Sequence, residues 1–172
     1  LLRIITEIDK RMGEKFASSF AKISKSFQQV FSELFGGGRA QLRLTDPQAP
    51  LESGVEIEAQ PPGKKLQNLS LLSGGEKALT AIALLFAFLK VRPTPFCILD
   101  EIEAALDEAN LARFCHYLRS FSQETQFIII SHRKKTMEQA DILYGVTMEE
   151  AGISKLISVR LRDSKLDTHV SA

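Results

Sequence analysis

The stretch that decides the fold is Leu72-Ser73-Gly74-Gly75-Glu76-Lys77, which stands directly before a long apolar run. Ser73 followed three residues later by Glu76 is the pattern of a capping box, so we predict a helix over 74–91. A capping box does not need two glycines. Gly74 and Gly75 leave backbone amides uncovered at a helix N-terminus, where free N–H groups and the helix dipole favour an anion. The stretch therefore predicts a phosphate site that is open to a group docking from outside.

Downstream of this stretch, helical and strand patterns alternate, which is typical of an α/β fold. The further predicted helices are 108–121 and 134–139, and the predicted strands are 96–99, 126–130, 142–148 and 155–161, the last turning back at 149–152. Strands 96–99 and 126–130 are apolar throughout. Such runs are expected of strands that are covered on both faces of a largely parallel sheet.

Upstream, residues 1–35 predict one long helix, because apolar residues recur at steps of three or four. The first part also fits a heptad and predicts the end of a coiled coil running into a globular body. The alternative is an ordinary amphipathic helix of a compact domain. Gly36-Gly37-Gly38 predicts the end of this helix, and alternation over 40–44 and 55–59 predicts an antiparallel strand pair.

Composition excludes few functions but sets bounds. The 172 residues suffice for one domain with a core, and 22 Lys plus Arg against 21 Asp plus Glu give no global argument for nucleic acid. Cys97 and Cys115 lie in apolar patterns and predict reduced core residues in a cytoplasmic protein. The longest apolar run, 81–89, is far shorter than the roughly 20 residues that cross a bilayer, so we expect no membrane contact. The opening residues are mid-helix in character, and we expect a piece of a longer protein.

Two adjacent carboxylates follow the apolar run that begins at Phe96. Charged residues at the carboxyl end of a buried strand stand where ligand sites of α/β folds lie. Asp100 suits a magnesium ion, usually through water, and Glu101 suits a general base that orients a water for attack on a γ-phosphate. The alternative is a solvated turn, since an apolar strand followed by Asp-Glu is common.

Asp107 and His132 are weaker candidates, and each has a structural interpretation beside the functional one. Asp107 stands where the helix 108–121 needs an N-cap, which is compatible with a catalytic role. His132 follows the predicted strand 126–130 and could donate a hydrogen bond to a γ-phosphate oxygen. A lone histidine at such a place is more often a loop or capping residue.

The combination of these segments is more specific than any one of them. The order of the 72–77 stretch, the strand ending in Asp100-Glu101, the Ala-Ala-Leu-Asp of 104–107 and the Ile-Ser-His-Arg-Lys of 130–134 resembles the C-terminal head segment of the SMC (structural maintenance of chromosomes) ATPases. Residues 35–40 also resemble the family's glycine-rich entry after the coiled coil. The resemblance covers about residues 1–162 and is greatest to the bacterial chromosome condensation and partition branch.

The resemblance implies a fold and a set of residue roles. The fold would be the C-terminal half of an ATP-binding-cassette-type head of the P-loop NTPase class, with 1–35 as coiled-coil end, 36–162 as head lobe and 163–172 as flexible tail. Nucleotide binding would involve Ser73, Gly74, Gly75, Glu76 and Lys77, which contact ATP held by a second head. Asp100 would hold Mg²⁺, Glu101 would be the catalytic base, Asp107 the residue that crosses the dimer interface, and His132 the switch histidine.

The resemblance also implies partners. No Gly-x-x-x-x-Gly-Lys-Ser/Thr phosphate loop occurs in the 172 residues, and in this family that loop lies in an N-terminal segment of the same head. The implied partners are therefore that N-terminal half, a second head in a homodimer, the winged-helix domain of a kleisin subunit and, in the full complex, DNA. The implied role is ATP-driven engagement and release of heads in chromosome condensation and segregation at the nucleoid. The alternative is a kleisin-docking module without activity of its own, for which strands 142–161 offer a surface.

Overall fold

The computed structural model describes residues 2–123, 125–150, 152–161 and 168–170, which fall into two units, 1–129 and 130–172. In this part of the chain the helices are α1 (Leu2–Phe35), α2 (Gly74–Val91), α3 (Glu108–Phe121) and α4 (Lys134–Met137), with a short 3₁₀ helix at Leu69–Leu71. The strands are β1 (Arg39–Leu44), β2 (Val55–Gln60), β3 (Gln67–Asn68), β4 (Phe96–Asp100), β5 (Gln126–Ile130), β6 (Ile142–Glu150), β7 (Ile153–Arg160) and β8 (Thr168–Val170).

Helix α1 has two halves that differ in burial. The second half carries Phe27, Phe31 and Leu34 on one stripe, and each is at most 1% exposed in the core of the first unit. The first half carries Ile8 and Met12 on the same kind of stripe, yet both are about half exposed. The predicted helix over 1–35 is confirmed for residues 2–35, and its Phe-rich half packs on the body as expected.

The three glycines after α1 turn the chain sharply into β1. Gly36, Gly37 and Gly38 all have positive φ, which side chains other than glycine rarely adopt. A Cβ on Gly38 would also collide with the backbone carbonyl of Gln60, so β2 passes too closely for any other residue. β1 and β2 then pair antiparallel with Ala40 opposite Ala59, as predicted, and the short strand β3 joins β2 as an addition that the sequence pattern did not predict.

The core of the first unit lies between the second half of α1, helices α2 and α3, and the inner face of the β4–β5 pair. Phe86 of α2 is fully buried at its centre, with ring centroids 5.1 Å from Tyr117, 5.2 Å from Phe121 and 5.8 Å from Phe127. Burial and then the nearby Glu33 carboxylate raise the pKa of the Tyr117 hydroxyl. Cys115 is buried and Cys97 is partly buried, and neither forms a disulfide within the part of the chain that the structure describes.

The expectation that both faces of the 96–99 and 126–130 strands are covered is wrong for this chain. β4 and β5 pair, and Cys97, Leu99, Phe127 and Ile129 face the core. Side chains alternate between the faces of a strand, so Phe96, Ile98 and Ile128 lie on the opposite face. They are 53%, 58% and 47% exposed. The outer face of the β4–β5 pair is therefore apolar and is not covered by any of the described residues.

The second unit contains α4 and an antiparallel sheet in the order β6–β7–β8. β6 and β7 form the predicted hairpin, with Val146 opposite Leu156, and the Asp141 carbonyl accepts from the Leu161 amide at 3.0 Å. Helix α4 ends at Met137, two residues before the predicted end, since turn-type hydrogen bonds replace helical ones at 139–140. In the predicted flexible tail, Thr168–Val170 instead pairs with β7, whose free edge supplies backbone partners; residues 163–167 and 171–172 lie outside the described residues.

Candidate functional site

The N-terminus of α2 is the first component of the site, and it has the predicted capping box. The Ser73 hydroxyl caps the helix by accepting from the Glu76 amide at 3.4 Å, and Glu76 Oε2 accepts from the Ser73 amide at 3.1 Å. Ser73 Oγ also lies 2.8 Å from Glu76 Oε2, to which it donates. The first helical bond runs from the Lys77 amide to the Ser73 carbonyl at 2.9 Å. Ser73 and Gly74 are exposed, so this helix end lies at the surface.

The two glycines of the stretch have different environments. A Cβ on Gly74 would meet nothing within 4 Å. A Cβ on Gly75 would lie 3.3 Å from Asp107 Oδ2 and 3.3 Å from Asn110 Nδ2, which is tighter than nine in ten real Cβ contacts. Gly74 therefore keeps the helix end open, whereas Gly75 lets the loop before α3 pack directly against it.

Asp107 is the N-cap of α3, as the sequence predicted. Its Oδ1 accepts from the Asn110 amide at 2.8 Å, and its Oδ2 accepts from the Asn110 side chain at 3.1 Å. The structure thus brings Asp107 against Gly75, and two helix N-termini meet at one place. Asn110 is buried and was not singled out from the sequence, although its place three residues after an N-cap is the signal that could have found it.

Asp100 and Glu101 stand where β4 ends, and both are exposed. Glu101 has φ 47°, and it is the one non-glycine residue with positive φ among the described residues. Such conformations cost about 1–3 kcal/mol and concentrate at functional sites, where the surrounding structure enforces them. The turn is fixed by the Ala104 amide, which donates to the Glu101 carbonyl at 3.0 Å. This strained backbone at the end of β4 is compatible with a functional role for Glu101, and the solvated turn stays the alternative.

His132 is exposed and belongs to the second unit, shortly after β5, so its role as a switch histidine stays a prediction. Among the described residues, no group of three or more His, Cys, Asp or Glu is arranged to hold a metal ion. Asp100 alone still fits Mg²⁺, because this ion keeps several waters and is usually held by one or two carboxylates together with substrate phosphates.

Lys64 is a component of the site, although sequence reasoning did not place it there. Its Nζ lies 2.8 Å from Glu76 Oε1 and 2.9 Å from Oε2. This bond from Lys64, followed by bonds from Ser73, holds the pKa of Glu76 below its ordinary value against the opposing effect of burial. No local pattern links a lysine in a turn to a helix that begins ten residues later, so only the folded chain shows the pair.

These features match one protein family. The family described as "RecF/RecN/SMC N terminal domain" matches residues 6–155. The chain is 66% identical over 165 residues to the chromosome partition protein Smc of Bacillus subtilis (strain 168), and 49% identical over 171 residues to that of Mycobacterium tuberculosis (strain ATCC 25618 / H37Rv). These alignments cover 96% and 99% of this chain but 14% of each relative.

Solved structures agree with the sequence relatives. A structure from a study of ATP-driven dimerization and DNA stimulated activation of SMC ATPases has a TM-score of 0.78 at 42% identity, covering 86% of this chain and 89% of that chain. An Smc head domain with an extended coiled coil bound to the C-terminal domain of ScpA, derived from Pyrococcus furiosus, has a TM-score of 0.79 at 43% identity, covering 92% of this chain and 40% of that chain.

The fold is that of an SMC ATPase head, an α/β fold of the P-loop NTPase kind. The chain belongs to the RecF/RecN/SMC family. It spans about a seventh of the length of the curated relatives it matches. In the part of the chain that the structure describes, no helix is both long enough and apolar enough to cross a bilayer.

Proposed function

We propose that this chain is the C-terminal half of an SMC head and that it completes, in trans, an ATP site held by a second head. The observation that carries the proposal is the exposed N-terminus of α2, where Ser73 and Gly74 face outward and Gly75 packs against Asp107. Free amides at such a helix end bind phosphate readily. With no phosphate loop in the 172 residues, the nucleotide would be gripped by another segment and contacted by this one.

The open apolar face of the β4–β5 pair supports the half-head assignment. Phe96, Ile98 and Ile128 together expose a patch that soluble domains normally cover. The N-terminal half of the same head is the partner that we assign to it. The half-exposed stripe with Ile8 and Met12 on α1 would pack in the same way against a second coiled-coil helix.

Each residue of the site then has a distinct role. Ser73 and the amides of Gly74 and Gly75 bind the γ-phosphate, with Glu76 and Lys77 completing that helix end. Asp100 would hold Mg²⁺, which offsets charge on the phosphates. Glu101 orients the attacking water and accepts its proton. Asp107 crosses the dimer interface, and His132 donates to a γ-phosphate oxygen.

These roles give a cycle of engagement and release. Two heads sandwich two ATP molecules, and hydrolysis removes the group that both heads hold, so that they separate. α1 would pass this change into the coiled coil and so to DNA held elsewhere in the complex. The corresponding cellular role is chromosome condensation and segregation by a homodimer at the cytoplasmic nucleoid, which matches the naming of relatives as chromosome partition proteins.

A second candidate function, docking of a kleisin without activity, is favoured by the sheet of the second unit. Tyr144 and Val146 are 62% and 72% exposed and share one face of β6, and Leu156 lies opposite Val146. Related Smc heads have been solved bound to the C-terminal winged-helix domain of ScpA. We assign the equivalent partner to this face; binding there needs neither ATP nor the N-terminal half.

The first test is ATP turnover by the joined head, meaning this chain co-expressed with the matching N-terminal head segment, over a dilution series. The specific rate is expected to rise with protein concentration, because each site is complete only between two heads. The isolated chain is expected to be inactive. A rate that is flat across dilution in heads shown to be monomeric would contradict completion of the site in trans.

The role of Glu101 is tested by Glu101→Gln in the joined head. Loss of a general base is expected to slow hydrolysis by about 100-fold or more and to prolong the ATP-bound dimer. Sedimentation measures the dimer, and phosphate release measures turnover. Turnover equal to that of the unmodified head would remove Glu101 from its assigned role.

A further inference from the structure

A carboxylate lies inside the proposed phosphate site. Glu76 is the third residue of α2, and its Oε2 accepts from the Ser73 amide at 3.1 Å and from the Ser73 hydroxyl at 2.8 Å. The group that fixes Ser73 is therefore negatively charged and next to the position that an anion has to approach. An uncompensated carboxylate there would repel phosphate and oppose the attraction of the helix end.

Lys64 compensates this charge. Its ammonium contacts both oxygens of Glu76, at 2.8 and 2.9 Å. The Glu76 side chain is 15% exposed and the Lys64 side chain is 48% exposed, so solvent screens the pair in part. When Ser73 turns its single hydroxyl proton toward a phosphate, Glu76 Oε2 loses one donor but keeps Lys64 and the Ser73 amide.

The position of Lys64 is fixed by hydrogen bonds to neighbouring strands. Its amide donates to the Pro61 carbonyl at 3.1 Å, which closes the turn after β2. Its carbonyl accepts from the side-chain amide of Gln60 at 2.8 Å, and Gln60 Oε1 accepts from Arg39 Nε at 2.7 Å. Arg39 follows the glycines that end α1, so a continuous set of contacts runs from the end of that helix to Ser73.

We propose that Lys64 is a positioning residue of the trans ATP site, which neutralises and orients Glu76 so that Ser73 and the α2 amides can receive the phosphate of an opposing head. This inference rests on the proposed function. Lys64 acts through Glu76 and need not touch the nucleotide. ATP binding by a single head, which uses the phosphate loop of the N-terminal half, is then independent of Lys64, and head engagement depends on it.

The test uses the joined head in a Glu101→Gln background, which keeps ATP unhydrolysed, and measures both ATP affinity of single heads and the dimer dissociation constant without DNA. Lys64→Ala is expected to weaken dimerisation by about fivefold to tenfold and to leave single-head ATP affinity unchanged. Lys65→Ala removes the same charge from the adjacent position, for which no Glu76 contact is present, and is expected to dimerise normally.

Two further variants test whether Lys64 acts by compensating the charge of Glu76 or only by supporting the local structure. Lys64→Arg, which can pair with both carboxylate oxygens, is expected to restore dimerisation. Lys64→Ala combined with Glu76→Gln is also expected to restore it, because glutamine keeps the capping box and removes the uncompensated charge. A double variant no better than Lys64→Ala alone, or a Lys64→Ala head that dimerises normally, would overturn the proposal.

Ser73→Arg distinguishes this inference from the proposed function. If Ser73→Arg heads dimerise with ATP as well as unmodified heads, the trans site itself is wrong, and with it the role of Lys64. If Ser73→Arg abolishes dimerisation while Lys64→Ala has no effect, the trans site stands and only the role of Lys64 is overturned.

Discussion

Two helix N-termini meet in this molecule, and they are completed in opposite ways. α3 is capped by the Asp107 carboxylate, which bonds Asn110 through both oxygens, so this helix end carries its own anion. α2 is capped by the neutral Ser73, and its carboxylate, Glu76, is paired with Lys64. The N-cap of α3 is a charged carboxylate bonded within the chain, whereas at the α2 end the carboxylate is neutralised by Lys64, and Ser73 and Gly74 are exposed. This difference supports our proposal that the α2 end, and not the α3 end, receives the phosphate of an opposing head.

The largest expected effect on turnover comes from placing a bulky side chain at the exposed N-terminus of α2. Ser73→Arg places a bulky side chain where the opposing phosphate would enter, and it removes the hydroxyl donor. We expect ATP binding by single heads to persist, with turnover of the joined head lower by about 100-fold or more, because donors to a reacting phosphate act mainly in the transition state. Equilibrium ATP binding and steady-state phosphate release measure the two quantities. ATP-dependent dimers of normal stability in this variant would contradict the proposal that the α2 end, unlike the α3 end, receives the phosphate of an opposing head.

The second effect concerns the contact between the two ends. In Gly75→Ala the added Cβ would meet Asp107 Oδ2 and Asn110 Nδ2 at 3.3 Å, whereas in Gly74→Ala it would enter open space. We expect Gly75→Ala to be less stable than Gly74→Ala by about 1–2 kcal/mol, since the cap of α3 has to shift. Denaturant unfolding of the two joined heads measures the difference. Equal free energies of unfolding for the two variants would show that the loop containing Asp107 shifts to accommodate the added Cβ without a loss of stability.

Sequence reasoning found both helix ends but not their contact. Ser73 three residues before Glu76, and Asp107 before an amphipathic run, are local signals, and both N-caps are confirmed. Packing of Gly75 on Asp107 and pairing of Lys64 with Glu76 depend on tertiary structure, for which a single sequence carries no spacing rule. The apolar strand that begins at Phe96 predicted a covering layer on both faces, and the described residues cover only one of them. Composition shows that a strand is apolar but not whether each covering layer belongs to the same chain.

A smaller effect comes from removing the anion that completes α3. Asp107→Ala is expected to lower the free energy of unfolding by about 1 kcal/mol, which is typical of a lost N-cap. Asp107→Asn should retain most of the stability, because asparagine caps as well as aspartate, yet it removes the charge. Thermal unfolding of the joined head measures the difference in stability between Asp107→Ala and Asp107→Asn. Turnover is expected to fall in both if the carboxylate crosses the dimer interface, and normal turnover in Asp107→Asn would leave Asp107 as a cap only.

The smallest effect is the pH dependence that Lys64 gives to the α2 end. The Lys64 bond holds the pKa of Glu76 below its ordinary value, so the ionised carboxylate is favoured in the folded state. The resulting stability is present above the ordinary glutamate pKa and is lost as the pH falls through the lowered one. Lys64→Ala should therefore reduce the loss of stability between neutral and acid pH, whereas Lys65→Ala should keep it.

The measurement is the urea midpoint of the joined head across that pH range, at low and high salt. High salt is expected to narrow the difference in urea midpoint between unmodified and Lys64→Ala heads, because the Lys64 side chain is 48% exposed and salt screens the pair in part. An identical acid profile in Lys64→Ala would mean that the Ser73 bonds alone stabilise the carboxylate. The α2 and α3 ends would then differ in their N-cap residues but not in charge compensation. The Glu76 carboxylate would remain a negative charge beside the position of the incoming phosphate.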